Sequence, residues 1–138
     1  MSVLHDSPLV AGLSDRHGMA LLHDAADAPR GLVLLLLPSH ARPHLETPDI
    51  AAVLPDLLRA CAGLVPPGAA PVGAVAAAAL EADLRAEIED LSLPALVLLH
   101  DGRPAGAISR MRDWDEYGRR LTALLAPFVH STLTDQPA

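Results

Sequence analysis

Residues 32–37 read Leu-Val-Leu-Leu-Leu-Leu, apolar without a break, so a strand there must be buried on both faces. That is a central strand covered on each side. A second run, Ala95–His100, has the same character and leads through Asp101-Gly102, a hairpin turn signal, into an antiparallel partner at 103–110. Residues 72–77 lie in an alanine-rich tract that helix propensity alone would make one long helix; their small and β-branched residues, without a charge, favour a third buried strand. Residues 19–22 give a short fourth.

Between these runs the apolar period changes to that of a helix. Ser7 and Pro8 form a cap and first-turn pair, Leu9, Val10 and Leu13 make a short stripe, and Gly18 ends it. Residues 24–31 connect. The best-marked helix begins with Thr47 as cap, Pro48 in the first position and Asp49 at the positive end of the dipole. Its buried face is Ile50, Val53, Leu54, Leu57, Leu58 and Cys61, with Pro55 expected to kink it. Residues 63–71 are a Pro- and Gly-rich loop. From Leu80 the spacing Leu80, Leu84, Ile88, Leu91 predicts an amphipathic helix. Asp113 and Glu116 make a capping-box pattern for a last helix, whose expected buried side is Trp114, Tyr117, Leu121, Leu124, Leu125 and Phe128.

The order of elements predicts an α/β fold, a central mixed sheet flanked by helices on both faces. Residues 1–130 form a single domain, and 131–138 read as a flexible C-terminal tail. At 138 residues the chain is long enough for a conventional core without disulfides or metals.

Charge narrows the partners. Ten basic against 17 acidic side chains leave a formal charge of -7, which repels nucleic acid and an anionic membrane surface alike. A basic peptide or protein suits it better. The segment 1–10 has no basic stretch ahead of an apolar one, the longest aliphatic run is too short to span a bilayer, and a single cysteine gives no sign of an oxidising compartment. These features imply a soluble, cytoplasmic protein without membrane insertion.

Candidate chemistry is sparse. His40 and His44 are four apart, but Pro38 and Pro43 argue against a helix there and no third ligand is near, so surface histidines outweigh a metal site. The histidines at 5, 17, 23, 100 and 130 are scattered. Cys61 could serve a one-cysteine peroxidase or reductase; its place on an apolar helix face favours a buried, unreactive thiol. Neither Ser92 nor Ser109 has a His or Asp at a telling spacing. Glu81, Asp83, Glu87, Glu89 and Asp90 read as a solvated helix face or, together with Glu46, Asp49 and Asp56, as an anionic patch.

Leu93-Pro94 directly before the strand Ala95–His100, the turn, the returning strand, the final helix and Pro55 in the helix after the central strand together resemble thioredoxin. That resemblance implies a thioredoxin-like fold with Pro94 cis. Counted from Pro55, the redox cysteines would fall at Thr47 and Ile50; the tetrapeptide is Thr-Pro-Asp-Ile, there is no CxxC motif, and the central strand lacks the buried aspartate.

A narrower resemblance is to the thioredoxin-like accessory proteins of nickel-iron hydrogenase maturation, the HyaE, HupG and HoxO type. It is carried by Gly-Leu-Val-Leu-Leu-Leu-Leu and its Pro-rich loop, Pro-Asp-Leu-Leu-Arg-Ala, the acidic helix, Leu93-Pro94 with its strand, and Asp-Trp-Asp-Glu-Tyr-Gly-Arg-Arg-Leu, roughly residues 30–128. It implies a non-enzymatic cytoplasmic chaperone, without cofactor, that binds the hydrogenase small-subunit precursor and its twin-arginine signal peptide before export, with other maturation proteins as further partners. The client would meet Glu46, Thr47, Asp49, Glu87, Glu89, Asp90 and Ser92, the acids through charge, with Leu93 and Pro94 giving apolar contacts at the rim. An adaptor for another client on the same fold is the alternative.

Overall fold

The computed structural model describes residues 7–134. His5 and residues 135–138 of the expected tail lie outside them. The elements run α1 (Pro8–Asp15), β1 (Ala20–Leu22), a single 3-10 turn (Ala25–Asp27), β2 (Leu32–Leu37), α2 (Thr47–Ala62), β3 (Val72–Ala76), α3 (Ala78–Glu87), β4 (Ala95–His100), β5 (Arg103–Ser109) and α4 (Trp114–Thr134). The five strands form one sheet in the order β1-β3-β2-β4-β5. β1, β3 and β2 are parallel, while β4 and β5 run antiparallel to their neighbours. The Leu93-Pro94 bond is cis. This is the thioredoxin-like arrangement that the sequence predicts.

The unbroken apolar run of β2 is explained by its two faces. Leu32, Leu34 and Leu36 join a core with α1, α2 and α4, through Leu13, Leu54, Leu57 and Leu121 among others. Val33, Leu35 and Leu37 point the other way, into a smaller core closed by Leu80 and Leu84 of α3. Alternation along a strand does the sorting.

The hairpin turn has the conformation its sequence demands. Asp101 and Gly102 both take positive φ, 50° and 80°, as a tight two-residue turn requires. The Asp101 carboxylate also accepts a hydrogen bond from the Gly31 amide at 2.7 Å, which fixes the turn to the start of β2 and lowers the pKa of that carboxyl. At Gly106 a Cβ would run into Leu124, so glycine lets β5 lie directly against α4.

Several expectations need correction. Thr47 does not cap α2: the chain already turns at Glu46, and the Thr47 hydroxyl donates instead to the Pro38 carbonyl at 2.8 Å. Trp114 is half-exposed at 52%, because it leads α4 and side chains tilt toward a helix N-terminus, here past the edge of the core. Tyr117, Leu121 and Leu125 carry that face. α3 stops at Glu87, so Ile88 and Leu91 pack against the smaller core from extended and turn backbone. α4 extends to Thr134, into the expected tail. The Asp113 carboxylate does cap α4, accepting from the Glu116 amide at 2.8 Å.

Candidate functional site

The corner after β2, where thioredoxin would carry its cysteines, is fixed by two carboxylates. At its start the chain leaves β2 through Pro38 and Ser39, both buried, with Ser39 at φ 71°. Glu81, in the first turn of α3, reaches up with both oxygens: the Ser39 amide donates to one and the His40 amide to the other, each at 2.6 Å. Glu81 is only 3% exposed, so it belongs to neither a solvated face nor an anionic patch. A buried carboxylate requires such donors, and two backbone amides supply them. The His40 ring lies 2.7 Å from the Ala76 carbonyl through Nε2; a carbonyl only accepts, so that nitrogen holds the proton.

At the end of the corner the second carboxylate, Glu46, turns outward to the loop after β5. It accepts from Arg110 Nη2 at 2.6 Å and Nε at 3.2 Å, and from the Met111 amide at 2.8 Å. The Arg110 guanidinium and then that amide hold the Glu46 carboxyl at a pKa of about 2. Arg110 in turn donates its own amide to the carbonyl of Pro94 at 2.7 Å, and the Ser92 amide donates to Ser109 Oγ at 3.0 Å. The cis-proline segment, the end of β5 and the head of α2 are thereby one hydrogen-bonded unit.

Between the corner, α3 and the segment before Pro94 lies a groove of about 980 Å³. Its apolar lining is Ala41, then Ala78, Ala82 and Ala86 of α3, and Leu91 and Leu93. His40 and His44 also line it, as do Arg42 and Arg85, so the groove presents two cations where the sequence suggests anions.

No thiol reaches this place. Thr47 and Ile50, at the redox positions, are buried, and Cys61 lies in the core with burial pushing its thiol up to about 11. Among the described residues no three His, Cys, Asp or Glu side chains gather as a metal site.

Of the residues singled out from the sequence, Ser92 and Leu93 form part of the groove wall, and Pro94 is buried behind them. Glu46 and Thr47 are spent on internal bonds. Asp49, Glu87, Glu89 and Asp90 are exposed outside the groove lining. Asp56 pairs with Arg59 on the surface of α2. Glu81, Arg42 and Arg85 were not legible as site residues: a helical glutamate and isolated arginines look like surface until the fold joins segments some forty residues apart.

The family model for hydrogenase-1 expression protein HyaE matches residues 12–117. The chain belongs to this family. It is 35% identical over 124 residues to the hydrogenase expression/formation protein HupG of Rhodobacter capsulatus, covering 86% of each chain. Against HupG of Rhizobium leguminosarum bv. viciae the identity is 35% over 110 residues, 80% of this chain and 69% of the relative. A solved structure described as a hydrogenase expression/formation protein hupG from Rhodopseudomonas palustris covers 86% of this chain and 99% of its own, with 29% identity and a TM-score of 0.47. Members of the family are thus named for hydrogenase expression and formation, and none of these names specifies a reaction.

Proposed function

We propose that, within the hydrogenase-maturation role that its family carries, this chain is a non-enzymatic chaperone that holds the small-subunit precursor of a nickel-iron uptake hydrogenase before export. The groove at the former redox corner carries the reading: it is open, walled by apolar side chains and free of any thiol. Ser92 and Leu93 meet the client there, with Pro94 behind them. Asp49, Glu87, Glu89 and Asp90, exposed around the corner, meet the arginines of the twin-arginine signal peptide. Glu46 and Thr47 act by shaping the corner. Charge of this kind governs encounter and partner choice, while the groove supplies contact area. The setting is cytoplasmic, since the client is met before export.

A tagged small-subunit precursor, intact and without its signal peptide, tests this by co-purification with the chain. Retention of the intact precursor and about tenfold weaker retention without the signal peptide are expected. Failure of both forms to bind would remove the reading and leave an adaptor for another client. A one-cysteine enzyme has the geometry against it, because Cys61 is fully buried. Cys61→Ser should therefore leave hydrogenase maturation unchanged.

A further inference from the structure

Arg42 and Arg85 lie on opposite banks of the groove, one on the loop after β2 and one on α3. Neither guanidinium has an ion-pair or hydrogen-bond partner among the described residues, a state they share with Arg16, Arg30, Arg103 and Arg119, but only these two line the groove. The groove contains one acidic side chain, Glu81, and its two oxygens are already occupied by the Ser39 and His40 amides. Nothing internal therefore answers the two cations. The alanines at 41, 78, 82 and 86 leave room between them for an extended chain.

We infer that the groove binds an extended, acidic segment of the client, its carboxylate held between Arg42 and Arg85. The inference rests on the chaperone reading and divides the client between two surfaces: basic residues outside, on the exposed acids, and a carboxylate within. Guanidinium and carboxylate match in planar geometry, so two arginines lining one groove select for this group. The overall charge of -7 makes the selection local. It repels a long polyanion such as nucleic acid, while two arginines suffice for one or two carboxylates.

The test uses the full chain, isotopically labelled for amide NMR, titrated with an acetylated and amidated heptapeptide of glycine and alanine carrying one central aspartate. Asparagine and lysine versions of the peptide and inorganic phosphate serve as controls. The aspartate peptide should shift the amides of Ala41, Arg42, Ala82, Arg85 and Ala86 and bind about tenfold more tightly than the asparagine version. Arg42→Glu/Arg85→Glu should abolish that preference and transfer it to the lysine peptide; both side chains are exposed, and unchanged amide shifts elsewhere would verify the fold. Equal binding of the aspartate and asparagine peptides, shifts elsewhere on the surface, no binding, or displacement by phosphate at equal concentration would each overturn the inference. The double variant in the precursor co-purification separates the two readings. If it retains the precursor as the unaltered chain does, the groove inference fails and the chaperone stands; if the unaltered chain binds the peptide but no precursor, the reverse holds.

Discussion

One face of the sheet is roofed by three helices and the other by a single one. On the first, α1, α2 and α4 enclose the larger core. On the second, α3 lies alone over Leu35, Leu37 and Val97, with coil and turn segments completing the cover. The groove lies on this thinner side, at the end where α3, the loop after β2 and the segment before Pro94 diverge. With one helix on that face, the gap between α3, the loop after β2 and the segment before Pro94 stays open, provided that something keeps the loop from collapsing inward.

The largest expected effect bears on the rigidity of the two roofs. Leu54→Ala, beneath three helices, should cost about 4 kcal/mol in denaturant unfolding, and Leu84→Ala on α3 about 2–3 kcal/mol, because a lone helix can settle into the cavity. Equal costs would break the comparison. Next is Glu81→Ala, which strands two amides in a buried place and should cost about 3 kcal/mol. Hydrogen exchange at Ser39 and His40 should quicken in the same variant, and protection retained there would show that the loop stands without its anchor.

Glu46→Gln is the smallest, about 1 kcal/mol near neutral pH, since this carboxylate is partly exposed. Its dependence on pH has a definite sign. The Glu46 carboxyl is lowered from 4.5 to about 2, so the unfolded chain takes up a proton before the folded one does. The contribution of this group is complete above about pH 4.5 and is lost as the pH falls toward 2. Acid unfolding curves of Glu46→Gln should lack that part of the slope; identical slopes would mean that Arg110 and Met111 hold Glu46 no better than water does.

Much of this architecture was legible because it follows from period and punctuation. The doubly apolar β2 announced helices on both faces, Asp101-Gly102 announced its turn, and the cis bond at Pro94 was an expectation of the thioredoxin resemblance that the structure bears out. The pattern said nothing of how many helices each face would receive, since a buried leucine looks the same under one helix or three. The site was less readable. Glu81 adjoins the apolar stripe of α3 and resembles any solvated helical acid, yet its partners come from the far end of another strand. Thr47 had the chemistry of a cap but found a stronger claim on its hydroxyl in the Pro38 carbonyl. Of the anionic patch expected from Glu46, Glu81 and their neighbours, these two are structural anchors, while Asp49, Glu87, Glu89 and Asp90 are exposed.

Ser39 and Arg110 remain as a pair with a consequence of their own. Both are non-glycine residues in left-handed backbone, at φ 71° and 68°, a conformation that costs an ordinary side chain roughly 1 kcal/mol or more. Each stands beside one of the two anchoring carboxylates, Ser39 with Glu81 and Arg110 with Glu46. In evolutionary terms the corner has two independent adjusting screws: glycine at either position relaxes the backbone, and loss of either acid releases it, while the sheet beneath stays as it is. Single substitutions at these positions should therefore reshape the mouth of the groove while the strands beneath keep their register.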